Sequence, residues 1–357
     1  MSPIKRIALV GLGKIGLYHL SILRNIDEVH LVGLMDEKDS ARKTVQGMGI
    51  NAPFFDDLDK MLSASDPEGV FACVPPGAAP AIAEKCLRQG RALFLEKPMA
   101  ADLGSAKKMM ALLADRPSPP ANAVGFMVAY YPTFEKTLDL LRKESIGRPR
   151  HYVATMLLGE VFRRQEGWRQ NPALSGGGAV AVLGSHLLYL IQSFFGLPET
   201  VSAGTVRLFS NVEDICHARF SHPGGLTGEF RVSWSQPGYS EMSIRLEISG
   251  SEGFLDSSES SVSLYGYGAQ AGAADQPAGP AGWQTWYPWD LSGGEPPPAR
   301  LQFIQSGYAA QDKDFVLSIG SGKNPRVPWS DGFKVQKMIE GVYRSASLSG
   351  ETIPLPE

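Results

Sequence analysis

Apolar residues in the first 125 or so positions fall in short, nearly continuous runs at 7–10, 31–35, 70–74, 92–95 and 123–127. Runs of this kind suit parallel strands covered on both faces. The segments 78–89 and 103–114 between them are long enough for crossover helices. This rhythm predicts an α/β fold with a doubly wound parallel sheet of the Rossmann type. After about residue 150 the pattern changes. Runs at 151–158, 201–209, 215–221, 226–235 and 243–250 alternate in part, with glycine, proline and short polar turns between several of them. They predict a second, α+β domain with a mostly antiparallel open sheet, one face of which lies on a core.

A glycine-rich apolar helix is expected over 179–195, and 266–300 reads as an irregular surface loop. Two helices close the chain. Ser330 stands as N-cap of the second, with Val335, Met338, Ile339, Val342 and Tyr343 at helical spacing. The expected division is 1–127 for the first domain and 128–357 for the second, with the last helices able to pack back on the first.

Composition narrows the function. A length of 357 residues with 43% apolar and 20% charged residues supports two domains with real cores. A net charge of -3 gives no electrostatic basis for binding nucleic acid or an anionic membrane. No apolar run in the sequence approaches the roughly 20 residues that span a bilayer. The opening MSPIKRIALVGLG leads straight from apolar residues into glycines, so it reads as a first strand and not a signal peptide. Cys73, Cys86 and Cys216 are odd in number and lack CxxC spacing, which argues against a disulfide framework and a zinc site. A cytoplasmic setting is expected. His217 and His222 have no ligand partners at metal spacing, so no metal is expected.

The sharpest motif is Gly11-Leu12-Gly13-Lys14-Ile15-Gly16, a GxGxxG directly after the first strand and opening a helix. Gly11 permits the tight turn, Gly13 lets a pyrophosphate approach the backbone, and Gly16 lets helix and strand pack closely. The helix start at Lys14 and Ile15 offers N–H groups and a positive dipole end to phosphate. Asp36 ends the second strand, twenty residues beyond Gly16. Its carboxylate can accept from ribose hydroxyls and would repel a 2′-phosphate, and Glu37 adds to that repulsion. NAD is therefore favoured over NADP, Lys38 being the one nearby cation that speaks for the latter. Val74 and Pro75 follow the strand 70–74 at the sheet's carboxyl edge, where ligands bind in such folds. Glu96-Lys97-Pro98 follows the next strand, and there an ammonium at Lys97 could hydrogen-bond a substrate hydroxyl.

With Val124-Gly125-Phe126, Trp168-Arg169, Ser175-Gly176-Gly177-Gly178 and Gly184-Ser185-His186, these pieces resemble the Gfo/Idh/MocA oxidoreductase family over nearly the whole chain. The resemblance implies a sugar, cyclitol, uronate or nucleotide-sugar substrate reacting at a secondary alcohol or ketone carbon. It also implies a homodimer or homotetramer formed through the C-terminal sheet. Carried over, Lys97 lies beside the nicotinamide, Glu96 is counted with the cofactor-binding residues, and His186 is the catalytic histidine. Imidazole titrates near neutrality, so His186 could take the hydroxyl proton as hydride leaves the same carbon. The chain departs from the family where carboxylates often flank this histidine, with Val182 and Tyr189 instead, and has Ala79 and Ala129 at other polar positions.

Arg163, Arg164, Trp168 and Arg169 precede the glycine run and could fork onto a substrate carboxylate or phosphate, or form a solvated loop. Tyr131 and Asn171 are further candidate substrate contacts, a packing role serving Tyr131 equally well. Trp283, Trp286, Tyr287 and Trp289 suit loop or interface anchoring, or a substrate lid. The expected activity is an NAD-dependent dehydrogenase or reductase. A catalytically silent NAD-binding sensor and an NAD-dependent glycosidase stand as alternatives, the first motivated by Val182, Tyr189 and Ala129.

Overall fold

Six short strands make the first sheet: β1 (Lys5–Val10), β2 (Val29–Met35), β3 (Phe54–Phe55), β4 (Gly69–Ala72), β5 (Ala92–Leu95) and β6 (Asn122–Val124). In this computed structural model, which describes residues 3–164, 166–267, 282–292 and 301–357, they are ordered β3-β2-β1-β4-β5-β6. Every pairing is parallel. All residues of β4 and β5 are buried, the pattern of strands covered on both faces. The order reverses between β1 and β4, which opens the crevice where α/β sheets bind ligands. The run 123–127 yields a strand only to Val124, because a 3-10 turn over Met127–Tyr130 follows.

The described residues fall into two compact units, one within Met1–Met127, Pro172–Gly176 and Tyr308–Gln336, the other within Val128–Asn171, Gly177–Gly307 and Lys337–Glu357. In the first, Phe315, Val316 and Ile319 join Ile7, Leu9, Phe71 and Phe94 in one core cluster. The helix Trp329–Ser347 begins one residue before Ser330, so Ser330 lies inside its first turn and is not the N-cap expected. The cap comes from elsewhere in the unit: the Trp329 N–H donates to Asn122 Oδ1 at 2.9 Å.

The second unit holds β7 (Pro149–Leu157), β8 (Thr200–Val206), β9 (Ile215–Ser221), β10 (Thr227–Ser233), β11 (Ser243–Gly250), β12 (Gly253–Ser258), β13 (Val262–Gly266), β14 (Gly282–Trp286) and β15 (Ile353–Pro354). Their order is β14-β13-β12-β11-β7-β10-β9-β8-β15. Among the described residues of this unit, only β7 and β10 pair in parallel. Alternation is clear: Tyr152, Ala154, Met156, Phe230 and Val232 are buried on one face. The other face presents His217, Arg219, Glu229 and Arg231, which line a cavity of about 660 Å³ together with Ser202 and Gly204.

The stretch 266–300 is not wholly irregular. Its described part forms β14, paired with β13, and a short helix Pro288–Ser292. Trp283 packs against Tyr265 with ring centroids 5.3 Å apart, and the Lys136 ammonium sits 4.5 Å above the Trp286 ring. Residues 268–281 and 293–300, and the Trp289 side chain, lie outside the described residues. The helix expected over 179–195 begins instead as a π-helical turn, Ala179–Gly184, before the α-helix Ser185–Phe195. By length and hydropathy the helical run Pro172–Phe195 would suffice to cross a membrane, contrary to expectation. Burial of 89% of its most apolar 18 residues is the mark of a core helix.

Candidate active site

The first unit gathers the cofactor candidates along one sheet edge, since parallel strands end together. Gly11 follows β1 with φ +87°, and a Cβ there would lie 2.4 Å from the Cys73 carbonyl oxygen. A Cβ on Gly16 would lie 1.8 Å from the Gly11 oxygen. Both glycines are therefore required by the protein's own packing. Gly13 differs: it is exposed, and a Cβ there would meet nothing within 4 Å. Bare backbone at that point serves something that approaches from outside.

Behind Gly13 the helix Lys14–Leu23 starts with no side-chain cap and no acidic residue in its first turn. Its first N–H groups and positive dipole end are left for an anion. Asp36 sits half-buried at the end of β2. Its Oδ2 accepts from the Leu12 N–H at 2.7 Å and its Oδ1 from the Lys38 N–H at 2.9 Å. One carboxylate thus clasps the glycine loop and still has lone pairs for two hydroxyls. Lys38 and Glu37 are exposed. These features fit a dinucleotide: the loop and helix start would hold the pyrophosphate, Asp36 the adenosine ribose.

Val74 and Pro75 are half-buried beyond β4, where the Pro75 carbonyl accepts from the Ala78 N–H at 2.9 Å. Burial pushes the Cys73 thiol well up, and the Glu96 and Asp312 charges add to it, so it stays protonated. Beyond β5, the Glu96 N–H donates to the Ala72 oxygen at 3.1 Å, and the Lys97–Pro98 peptide is cis. Lys97 is half-buried.

The sequence reading missed what holds Glu96. His19, fully buried, places Nε2 3.0 Å from Glu96 Oε1 and Nδ1 2.8 Å from Asp312 Oδ2. Burial alone would lower the imidazole pKa, but Asp312, by charge and hydrogen bond, and then Glu96 raise it to about 10. A signal was present: His19 shares a buried helix face with Gly16, Leu20 and Leu23, where a polar ring demands partners.

In the second unit His186 is the second residue of the helix Ser185–Phe195 and is buried. The π-helical turn before it is capped by Glu213, also missed from sequence. Glu213 Oε1 accepts from the Gly178 N–H at 2.9 Å, the Val180 N–H at 3.0 Å and the Tyr343 hydroxyl at 2.8 Å. Burial raises its pKa, while the bonds from Val180 and Tyr343 oppose that. Val182 is half-buried and Tyr189 buried.

The arginine candidates are largely committed to protein partners. Arg164 donates to Asn211 Oδ1 at 3.0 Å. Arg169 donates to Glu160 Oε1 at 3.0 Å and lies beside the Trp168 ring. Trp168, Arg169 and Asn171 come together around the 3-10 turn Trp168–Gln170, whereas Arg164 is drawn to Asn211. Tyr131 is buried with its ring stacked on Phe134 at 5.9 Å. Among the described residues no group of three or more His, Cys, Asp or Glu could hold a metal ion.

A glycine loop clasped by an acid, at the switch point of a 321456 sheet, defines a dinucleotide-binding protein. Comparison with known proteins carries this further. Residues 5–119 match the oxidoreductase family with an NAD-binding Rossmann fold, and residues 134–256 match the GFO/IDH/MocA C-terminal domain. The chain belongs to the Gfo/Idh/MocA oxidoreductase family, as an NAD(P)-binding member.

It is 25% identical to D-apiose dehydrogenase of Paraburkholderia graminis over 98% of this chain and 89% of that protein. It is 28% identical to trans-1,2-dihydrobenzene-1,2-diol dehydrogenase of Sus scrofa, over 47% of this chain and 48% of that one. An oxidoreductase domain protein from Kribbella flavida has the same fold, with TM-score 0.86, 24% identity and full coverage of both chains.

Proposed function

We propose that the protein is an NAD-dependent dehydrogenase or reductase acting on a secondary alcohol or ketone carbon of a sugar, cyclitol, uronate or nucleotide sugar. The observation that carries this is the Asp36 clasp on the glycine loop, at 2.7 Å from the Leu12 N–H. It supports NAD over NADP, because a carboxylate fixed there repels a 2′-phosphate. The substrate class rests on relatives: D-apiose dehydrogenase, and a myo-inositol 2-dehydrogenase of Thermotoga maritima 23% identical over 148 residues.

Bound nicotinamide supplies the hydride acceptor or donor. On this reading the Lys97 ammonium hydrogen-bonds the substrate oxygen and holds it in place. His186 takes the hydroxyl proton on oxidation and returns it on reduction. Trp168, Arg169 and Asn171 contribute to substrate contact, Arg169 being paired with Glu160 at 3.0 Å. The three cysteines are free, in keeping with a cytoplasmic protein, and the polar open face of the second sheet suits assembly as a homodimer or homotetramer. Two other readings remain, a catalytically silent NAD binder, which Val182 and Tyr189 beside His186 favour, and an NAD-dependent glycosidase.

The test is NADH appearance or consumption with D-apiose, myo-inositol, levoglucosan and UDP-sugar uronates and their oxidised forms. Turnover should fall at least about 100-fold in Lys97→Met and His186→Asn. Tight NADH binding with no turnover of any panel member would favour the silent binder instead.

A further inference from the structure

The buried triad Asp312–His19–Glu96 is not used by the reading above, and its chemistry asks for a role. Both nitrogens of His19 lie within hydrogen-bonding reach of carboxylate oxygens, at 2.8 Å and 3.0 Å. Flanked by two ionised carboxylates, which only accept, both nitrogens would donate and the ring would be an imidazolium, in line with the upward push that Asp312 and Glu96 give its pKa. It is packed by Phe71, Phe94 and Tyr308. The titratable groups around it are Asp312 and Tyr308 from the helix Leu301–Ser318, Glu96 beyond β5, Cys73 beyond β4 and Tyr18 on its own helix. Apolar residues of like volume would hold a core as well as or better than a buried ion triad. A stable core thus does not require the triad, even though the charges stabilise one another once they are buried.

The triad ends on the turn that carries Lys97. Glu96 Oε1 is taken by His19, Oε2 accepts the Lys97 N–H at 3.2 Å, and the Glu96 N–H is fixed to β4. Space is reserved for this carboxylate, since a Cβ on Gly125 would come 2.7 Å from Oε1. We propose that His19 is a positioning residue: held by Asp312, it locks the Glu96 carboxylate and so fixes the Glu96–Lys97–Pro98 turn in the conformation that presents Lys97 to substrate. The inference rests on the reading of Lys97 given above. Asp312 sets the charge of the ring, and Glu96 transmits its position to the next peptide.

Hydrogen exchange over residues 95–100 tests the anchoring without any substrate. In His19→Gln and in Asp312→Asn, exchange there should rise about tenfold or more while strands 5–10 and 69–72 keep their protection. Unchanged exchange over 95–100 in both variants, or an equal rise across the whole unit, would overturn the proposal. With D-apiose, or whichever panel sugar turns over, kcat should fall about tenfold or more with KM for NAD within about threefold. In Asp312→Asn, kcat should also decline as pH rises through neutrality, because the ring then loses its proton; the native enzyme keeps it. Native kcat with a native pH profile in both variants would equally overturn the positioning role. Lys97→Met separates the two ideas: full turnover in that variant sinks the catalytic reading of Lys97, while the exchange result still judges the anchor.

Discussion

Raising the pH from 7 to 8.5 should cost the native chain stability that a His19→Gln/Asp312→Asn double variant keeps. His19 holds its proton up to about 10 in the folded chain, against an ordinary 6.5 when unfolded. Burial alone would lower that pKa, and the Asp312 and Glu96 carboxylates more than reverse it. Between those pH values the folded state binds one more proton than the unfolded state, so rising pH favours unfolding. The stabilisation is complete below 6.5 and is lost progressively up to about 10, at about 1.4 kcal/mol per pH unit and about 5 kcal/mol in all. Burial raises the Asp312 pKa, with His19 pulling it back, which sets an offset and not a slope once the acid is ionised. Across the window from 7 to 8.5 this corresponds to about 2 kcal/mol. The three thiols, whose pKa values burial raises, add a slope of the same sign that both proteins share and that drops out of their difference. The double variant leaves a neutral pair in place of the ion pair. Urea unfolding at four pH values, with both proteins in the same buffers, gives the difference directly. Native and variant stabilities that run parallel within about 0.5 kcal/mol would refute the assignment of an imidazolium at this site.

Gly13→Val should leave the melting temperature within a few degrees yet abolish NADH binding by fluorescence, since a Cβ there meets no protein atom within 4 Å. Gly16→Ala, driving a Cβ into the Gly11 oxygen at 1.8 Å, should instead lower the melting temperature sharply; the reverse order would contradict the division of labour between the glycines. Asp36→Ala removes the acceptor of the Leu12 and Lys38 N–H groups and should weaken NADH binding about 10- to 100-fold while narrowing its preference over NADPH, both read by titration. Glu213→Ala strands the Gly178 and Val180 N–H groups and the Tyr343 hydroxyl. It should cost about 3 kcal/mol in urea unfolding, and an unchanged midpoint would count against the capping role.

Elements with a strong local signature were legible from the chain. The strand Ala92–Leu95, the helix Leu103–Ala114 and the strands Ile215–Ser221 and Ser243–Gly250 fall at their expected limits. Their patterns depend on near neighbours alone. The strands Phe54–Phe55 and Ile353–Pro354 carry too few residues to show a period, and Gly282–Trp286 lies in a stretch rich in Gly, Ala and Pro that reads as a loop; all three pair with a neighbouring strand that offers its hydrogen bonds. Ser330 was misread for a related reason, since the acceptor for that helix start is Asn122, 207 residues away. The glycine loop and Asp36 could be read because strand, turn and helix are contiguous there.

The linear order of residues thus determined the glycine turn, the acid that follows β2, the change from parallel to alternating strands, and the family that these announce. Only the folded chain decided that Asp36 grips the Leu12 N–H, that Arg164 and Arg169 turn to Asn211 and Glu160, and that His19 stands between two carboxylates. A turn or a helix face is written in the steric and polar preferences of adjacent residues. A buried charge is defined by whichever groups close around it, and for His19 those come from positions 77 and 293 residues further along.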